Sequence, residues 1–423
     1  MKTKTNALRK ITLWASLGSM VEYYDFVVYA MMAKYLGAVF FESGNAQSAI
    51  IQTFLVFAVG YFARPFGGVL FGIIGDVYGR KRAFLALTGL MTVSTLALGL
   101  LPSFEKAGIL APILLAICRI MQGLSFGGEL PGAATIVGEF SSTKGQQRNQ
   151  GWFSSLIIAS TSMGALVASL VLFLLTTALD DVQIISWGWR LPFIMGGIAG
   201  VVLLMGRSKL EETAVFKNQT ILPGNPFIDL LKNNFSLVIK GICLTNFFAA
   251  MIVVNLYYPY YISSVFGYRP GDVYFATTIS LVFSVFALPV LGKMSDSTNK
   301  VRMLAYATGS YIVLSFPLFG LLYIGSLWSL ILFLIVHQFF IALFGSAYFS
   351  VLTTLFHVKI RYTGVAFCYN FVFALMALLP SLLTGLLDYA HTPMVVPLVL
   401  SCLAFVSFLS SIPLSDHRPW KMI

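Results

Sequence analysis

Roughly twelve stretches of about 20 or more mostly apolar residues follow one another along this chain, and each is long enough to cross the hydrocarbon of a bilayer as a helix. They lie near 11–38, 49–75, 82–101, 109–138, 149–177, 189–207, 235–264, 273–293, 302–324, 327–355, 363–387 and 393–414, with short polar breaks between them. None shows the period-two alternation of a lipid-facing strand, which excludes a membrane β-barrel. With 58% hydrophobic and 10% charged residues, the chain has too little polar material to cover a water-soluble globule. The expected fold is an all-α integral membrane protein with twelve transmembrane helices.

The polar breaks are unequal in charge. Lys2, Lys4, Arg9, Lys10, Arg80, Lys81, Arg82, Lys144, Arg148, Arg207, Lys209, Lys300, Arg302, Lys359 and Arg361 fall on one side of the expected membrane, against Lys34, Lys106, Arg190 and Arg269 on the other. Short basic loops are retained in the cytoplasm, so both termini are expected there. The net charge of +11 is then explained without a nucleic-acid partner. The first run carries Glu22 and Asp25 and is too long for the apolar part of a cleavable signal, so it is expected to stay as the first helix. Cys118, Cys243, Cys368 and Cys402 fall inside spans without paired spacing and read as small apolar residues, not as metal ligands or a disulfide.

The chain is also duplicated. Its longest polar break, 208–234, separates six spans in 1–207 from six in 235–423. Gly72-x-x-Gly75-Asp76-x-x-Gly79-Arg80-Lys81-Arg82 follows the second run, and a fainter copy, Gly292-x-x-x-Asp296-x5-Arg302, follows the eighth, 220 residues later. Arg148-x-x-Gly151 opens the fifth run and Arg361-x-x-Gly364 opens the eleventh, 213 residues later. Similar offsets at equivalent places in the helix count imply two pseudo-symmetric six-helix bundles joined by a cytoplasmic linker.

On these residues the chain resembles the major facilitator superfamily, whose second-to-third helix loop commonly reads G-x-x-x-D-R-x-G-R-R/K. Gly72, Asp76, Gly79, Arg80 and Lys81 match, and Val77 replaces the usual Arg. Within that superfamily it resembles the metabolite:proton symporters, which include proline/betaine, α-ketoglutarate, shikimate and citrate permeases. The similar stretches run from Gly18 to Phe26, Arg64 to Gly68, Arg119 to Gly123, Gly127 to Glu129, Trp187 to Phe193 and Arg361 to Gly364, with Tyr369-Asn370 after them. The resemblance implies alternating access powered by a proton gradient, no cofactor, a bacterial inner-membrane location and a functional monomer. Tyr23 stands where the family often has Trp, and Ser297-Thr298-Asn299 erodes the second loop motif.

A charged side chain at mid-membrane costs at least about 2.5 kcal/mol on insertion scales, so the charges retained there carry the chemistry. If helix 1 enters near Ile11, Glu22 lies about 16 Å deep and Asp25 about 21 Å. Their i, i+3 spacing puts both carboxylates on one face, where proximity and desolvation favour holding a proton near neutral pH. Both are candidates for proton coupling, and the family match favours that role over permanent salt bridges to Arg64 or Arg119. Arg119 and Arg64 are intramembrane cations whose planar forks suit an anionic or zwitterionic substrate better than a neutral sugar. For each, pairing with Glu22, Asp25 or Glu129 is the alternative.

Tyr29, Gln122, Tyr257, Asn370 and His337 complete the candidate substrate-binding set. Asn370 matches the Tyr-Asn element of the family. Tyr257 belongs to an aromatic cluster before Pro259 that either lines an outer cavity or forms an interfacial belt. His337 lies well inside the tenth run, where a neutral, hydrogen-bonded histidine is the alternative to a titrating one. Gly72, Asp76, Gly79, Arg80, Glu129, Glu139, Arg148 and Asp296 form the candidate gate. The resemblance places Asp76 and Arg80 there, and the erosion around Asp296 implies that the N-terminal half keeps the stronger latch. The expected activity is proton-coupled uptake of a small carboxylate or zwitterion, such as an organic acid, amino acid or betaine; proton-driven export of an organic anion or drug is the alternative. The partners are then that small molecule, protons and the lipid bilayer. The chain lacks the Gly-x4-Gly-Lys-Ser/Thr loop of an ATP-driven pump, a recognisable channel filter and a coherent nucleophile–base set, so none of those classes is expected.

Overall fold

A computed structural model describes residues 2–42, 46–141, 149–209, 212 and 226–416. In lipid every backbone N–H and C=O must be satisfied within its own segment, and the apolar runs answer this by coiling into helices. The long helices among the described residues are α1 Lys2–Met31, α2 Ala46–Val77, α3 Arg80–Gly99, α4 Leu110–Ser141, α5 Gln150–Ala178, α6 Arg190–Ser208, α7 Phe235–Phe266, α8 Pro270–Ser297, α9 Lys300–Gly320, α10 Leu327–Leu355, α11 Arg361–Met376 and α12 Val395–Asp416. They correspond in order to the predicted runs. Two runs are interrupted: a turn at Met32 separates α1 from Ala33–Phe40, and a break at Ala377 and Leu378 separates α11 from Leu379–Ala390. Among the described residues ten helices are long and apolar enough to cross a membrane; the charged α1 and the interrupted α11 fall short. Phe66, Val93, Val290, Val313 and Trp328 point outward and are exposed, as expected of surfaces that face lipid.

Within the N-terminal half α1 packs on α5 and α6, α2 on α4, and α3 on α4 and α6. In the C-terminal half α7 packs on α11 and α12, α8 on α10, and α9 on α10 and α12. The halves meet along two related seams, α2 against α11 and α5 against α8, with α4 and α10 adding to the contact. Both seams are close enough that the motif glycines are required. A Cβ on Gly72 would stand 2.8 Å from the Thr363 Cα, and one on Gly292 would stand 2.8 Å from the Gly151 carbonyl oxygen. Gly79 turns the chain from α2 into α3 at φ 109°, a conformation that other residues rarely adopt.

Candidate functional site

Four helices of the N-terminal half enclose a narrow cavity whose lining includes Glu22 and Asp25 of α1, Arg64 of α2, Met91 of α3 and Arg119 and Gln122 of α4. The four charged side chains here are each no more than 4% exposed, so bulk water does not solvate them. Residues three apart on α4 start a polar chain: Arg119 Nη1 donates to Gln122 Oε1 at 2.9 Å, and Gln122 Nε2 donates to Asp25 Oδ2 at 2.6 Å and to Thr95 Oγ1 at 3.1 Å. The Arg119 guanidinium lies 4.0 Å from the Tyr29 ring, whose hydroxyl donates to the Thr53 carbonyl at 3.2 Å. Arg64 sits 3.9 Å from the Phe126 ring and reaches across to α11, 5.4 Å from Phe373 and 5.9 Å from Tyr369.

Among the described residues, the buried Glu22 Oε1, Asp25 Oδ1, Arg64 Nε and Nη2, and Arg119 Nε have no hydrogen-bond partner. Buried charged atoms are normally paired, and leaving one unmatched costs more than a typical hydrogen bond returns. The ion pairs that join two described residues are Asp76–Arg80, Glu129–Arg207 and Asp296–Lys300. Glu22 and Asp25 are thus not locked into direct salt bridges with Arg64 or Arg119. Among the described residues, the cavity has two acidic and two basic groups with hydrogen-bonding capacity to spare.

Glu129, expected near the gate, instead turns into the N-terminal half. Its carboxylate forms a bidentate pair with Arg207 of α6, whose Nη1 donates to Glu129 Oε2 at 2.8 Å and to Thr88 Oγ1 at 2.6 Å. The Trp14 carbonyl accepts from Arg207 at 3.2 Å, and the Phe84 ring lies 3.8 Å from the guanidinium. Sequence reasoning placed Arg207 among the loop cations because it ends its apolar run. The available signal was that a buried Glu129 requires a partner.

At the basic end of the molecule each motif carboxylate reaches the start of a helix in the other half. Asp76 pairs with Arg80 and accepts from Thr363 N at 2.9 Å, Thr363 Oγ1 at 2.7 Å and Tyr362 N at 3.4 Å, at the start of α11. Asp296 accepts from Gly151 N at 2.6 Å and Trp152 N at 2.9 Å, at the start of α5, with Lys300 at 3.4 Å. Each carboxylate thus satisfies exposed N–H groups and the positive dipole end of a helix in the opposite half. The Asp296 copy keeps the contact through Gly292 and Asp296 although the loop residues around it are eroded, while the Asp76 copy adds the Thr363 hydroxyl and the Arg80 hydrogen bond to Val358. Arg80 also donates to the Val358 carbonyl at 3.1 Å, and Glu212 of the linker accepts from Arg80 N and Lys81 N, each at 3.1 Å. The Glu139 side chain and Arg148 lie outside the described residues.

The remaining candidates separate. Asn370 bridges the halves, donating to the Gly127 carbonyl of α4 while its own Oδ1 has no partner. Tyr257 shares a hydrogen bond of 2.9 Å with Thr384 inside the C-terminal half. His337 is fully buried there, with Nδ1 2.9 Å from the Tyr258 hydroxyl, and does not reach the cavity. Thr363, Tyr362, Glu212 and Thr95 were missed as site residues; the Arg361–Gly364 stretch marked the first two, and only the fold brings Glu212 and Thr95 to their partners.

The family profile of the Major Facilitator Superfamily matches residues 15–379. A Staphylococcus haemolyticus protein provisionally named a proline/betaine transporter is 33% identical over 372 residues, covering 86% of this chain and 78% of that one. The proline/betaine transporter of Escherichia coli K12 is 29% identical over 432 residues, covering 98% and 85%. Among solved structures, the proton:xylose symporter XylE bound to 6-bromo-6-deoxy-D-glucose superposes with a TM-score of 0.76 at 17% identity, covering 96% of this chain and 95% of that one. With a family profile spanning most of its length and relatives aligned almost end to end, the chain belongs to the Major Facilitator Superfamily and is a multi-pass membrane transporter.

Proposed function

We propose that this transporter carries a small carboxylate or zwitterion into a bacterial cell together with protons, by alternating access across the inner membrane. The observation that carries this reading is the set Glu22, Asp25, Arg64 and Arg119 around one cavity, each with a buried polar atom lacking a partner. The arginine forks are suited to a carboxylate, and the two acids on one face of α1 are suited to holding protons. The names of the relatives support proline and glycine betaine as first substrates to test. The basic loops lie at the end closed by Asp76 and Asp296, so the positive-inside rule makes that end cytoplasmic, with both termini on the same side. In this reading 208–234 tethers the two bundles, 1–207 and 235–423, and the monomer is the working unit.

The test is uptake of labelled L-proline, glycine betaine and a panel of organic acids into proteoliposomes, with and without an imposed proton gradient and an uncoupler. Accumulation that follows the gradient and is abolished in Glu22→Gln or Asp25→Asn is the expected result. Flux indifferent to the uncoupler would sink proton coupling. Gradient-driven movement only outward would reverse the direction.

A further inference from the structure

Gln122 makes three hydrogen bonds whose directions are all fixed. A guanidinium offers only donors, so Arg119 Nη1 at 2.9 Å requires the amide oxygen to face it. The amide nitrogen is thereby turned toward Asp25 Oδ2 at 2.6 Å and Thr95 Oγ1 at 3.1 Å. An amide N–H needs an acceptor, so in this arrangement Oδ2 carries no proton directed at Gln122, and Arg119 Nη1 is engaged by the protein itself.

The reverse arrangement is equally self-consistent. If a substrate carboxylate takes the Arg119 fork, Oε1 loses its donor and the amide can turn to present that oxygen to Asp25. It gains a partner there only if Oδ2 bears a proton and donates through O–H···O. One proton then moves from solution to Asp25, one O–H bond forms, and no other bond changes. At the atoms Gln122 uses, the mixed states are mismatched: acceptor faces acceptor when a carboxylate has displaced the amide from Arg119 Nη1 and Oδ2 is ionised, and donor faces donor when Oδ2 is protonated toward an unturned amide. Resting on the proton-coupled carboxylate transport proposed above, we propose that Gln122 is a positioning residue whose amide links occupancy of Arg119 by a substrate carboxylate to protonation of Asp25. The other ionisable groups facing this cluster are Glu22, Tyr24 and Tyr29 on α1, Tyr61 and Arg64 on α2, Cys118 and Glu129 on α4 and Arg207 on α6. From α3 the neighbour is Thr95, and on α11 Tyr369 faces Arg64. None of these bridges Asp25 to Arg119.

The experiment compares the parent with Gln122→Leu and Gln122→Glu in proteoliposomes, using labelled L-proline and, in parallel, glycine betaine. Two rates are read: exchange at equal pH on both sides, which needs no net proton movement, and accumulation driven by an imposed proton gradient. Leu has similar size without polarity, and Glu keeps an acceptor toward Arg119 but cannot donate to an ionised Asp25. Both substitutions are expected to slow exchange while lowering the ratio of accumulation to exchange at least tenfold. A ratio within twofold of the parent in either folded variant overturns the proposal and leaves symport standing. If the parent itself exchanges the probe but never accumulates it under the gradient, symport fails and the proposal with it. Melting temperature is recorded for each variant, and the Glu variant decides the matter if the Leu variant is not recovered folded.

Discussion

Neutralising Asp76 isolates the energy that holds the basic end shut. The Asp76–Arg80 pair lies within one half and survives opening, so only the contacts to α11 differ between closed and open forms. Hydrogen bonds to a charged group contribute roughly 1.5–3 kcal/mol and neutral ones about 0.5–1.5, so Asp76→Asn loses about 1 kcal/mol at each of the two Thr363 contacts. Removing the negative charge from the N-terminus of α11 loses a further ~0.5–1 kcal/mol. The total of about 2.5–3 kcal/mol favours opening by about 60- to 150-fold. Ser350 of α10 reports it, because its hydroxyl lies 3.4 Å from that of Ser154 on α5 and it is buried in the closed seam. With Ser350→Cys in a background lacking the four native cysteines, modification by an impermeant maleimide from the basic side follows the open population when opening is fast. Asp76→Asn is expected to raise that rate by the stated factor until the open form predominates. A change of less than twofold would show that these contacts do not hold the seam.

Asp296→Asn is expected to accelerate the same labelling, by a smaller factor because Asp296 has no counterpart of the Thr363 hydroxyl contact; a negligible effect would show that the second carboxylate does not hold its seam. Glu129→Gln leaves Arg207 charged and unpaired inside the bundle and is expected to destabilise by about 3–5 kcal/mol, read as a fall in melting temperature in detergent, whereas Glu129→Leu with Arg207→Leu recovers much of the loss. A melting temperature unchanged in Glu129→Gln would disprove the pairing. Gly18→Ala would drive a methyl group into the Arg207 guanidinium and is expected to be strongly destabilising, while Gly89→Ala, with nothing within 4 Å of the new carbon, should be neutral or stabilise by up to ~1 kcal/mol. Equal melting temperatures for the two would refute the close packing of α1 on that pair.

The helix order, the duplication and the burial of Glu22, Asp25, Arg64 and Arg119 were legible in the sequence because hydropathy and charge are local and the bilayer penalises exceptions heavily. Partnerships were less legible. Arg207 ends its run, where a loop cation and a buried one read alike, and only the packing of α6 on α3 and α4 decides. Gln122 was singled out as a substrate contact, but its bridging role depends on the three-dimensional approach of α1 and α3 to α4. The second motif was judged by how many of its letters survive, whereas the physics needs two: Gly292 for closeness and Asp296 for charge. The break at Met32 fell inside an apolar run with no strong local stop signal, whereas Pro380, in the first turn of the helix that follows, marked the one at Ala377–Leu378.

The reciprocity of the two latches has a mechanical consequence. Asp76 reaches from the first half to α11 of the second, and Asp296 reaches from the second half to α5 of the first. A lone latch would act as a pivot about which the halves could swivel in the membrane plane, opening one side while the other stayed closed. Two anchor points on opposite sides of the pseudo-twofold axis remove that freedom, leaving a rocking motion in which both must release together.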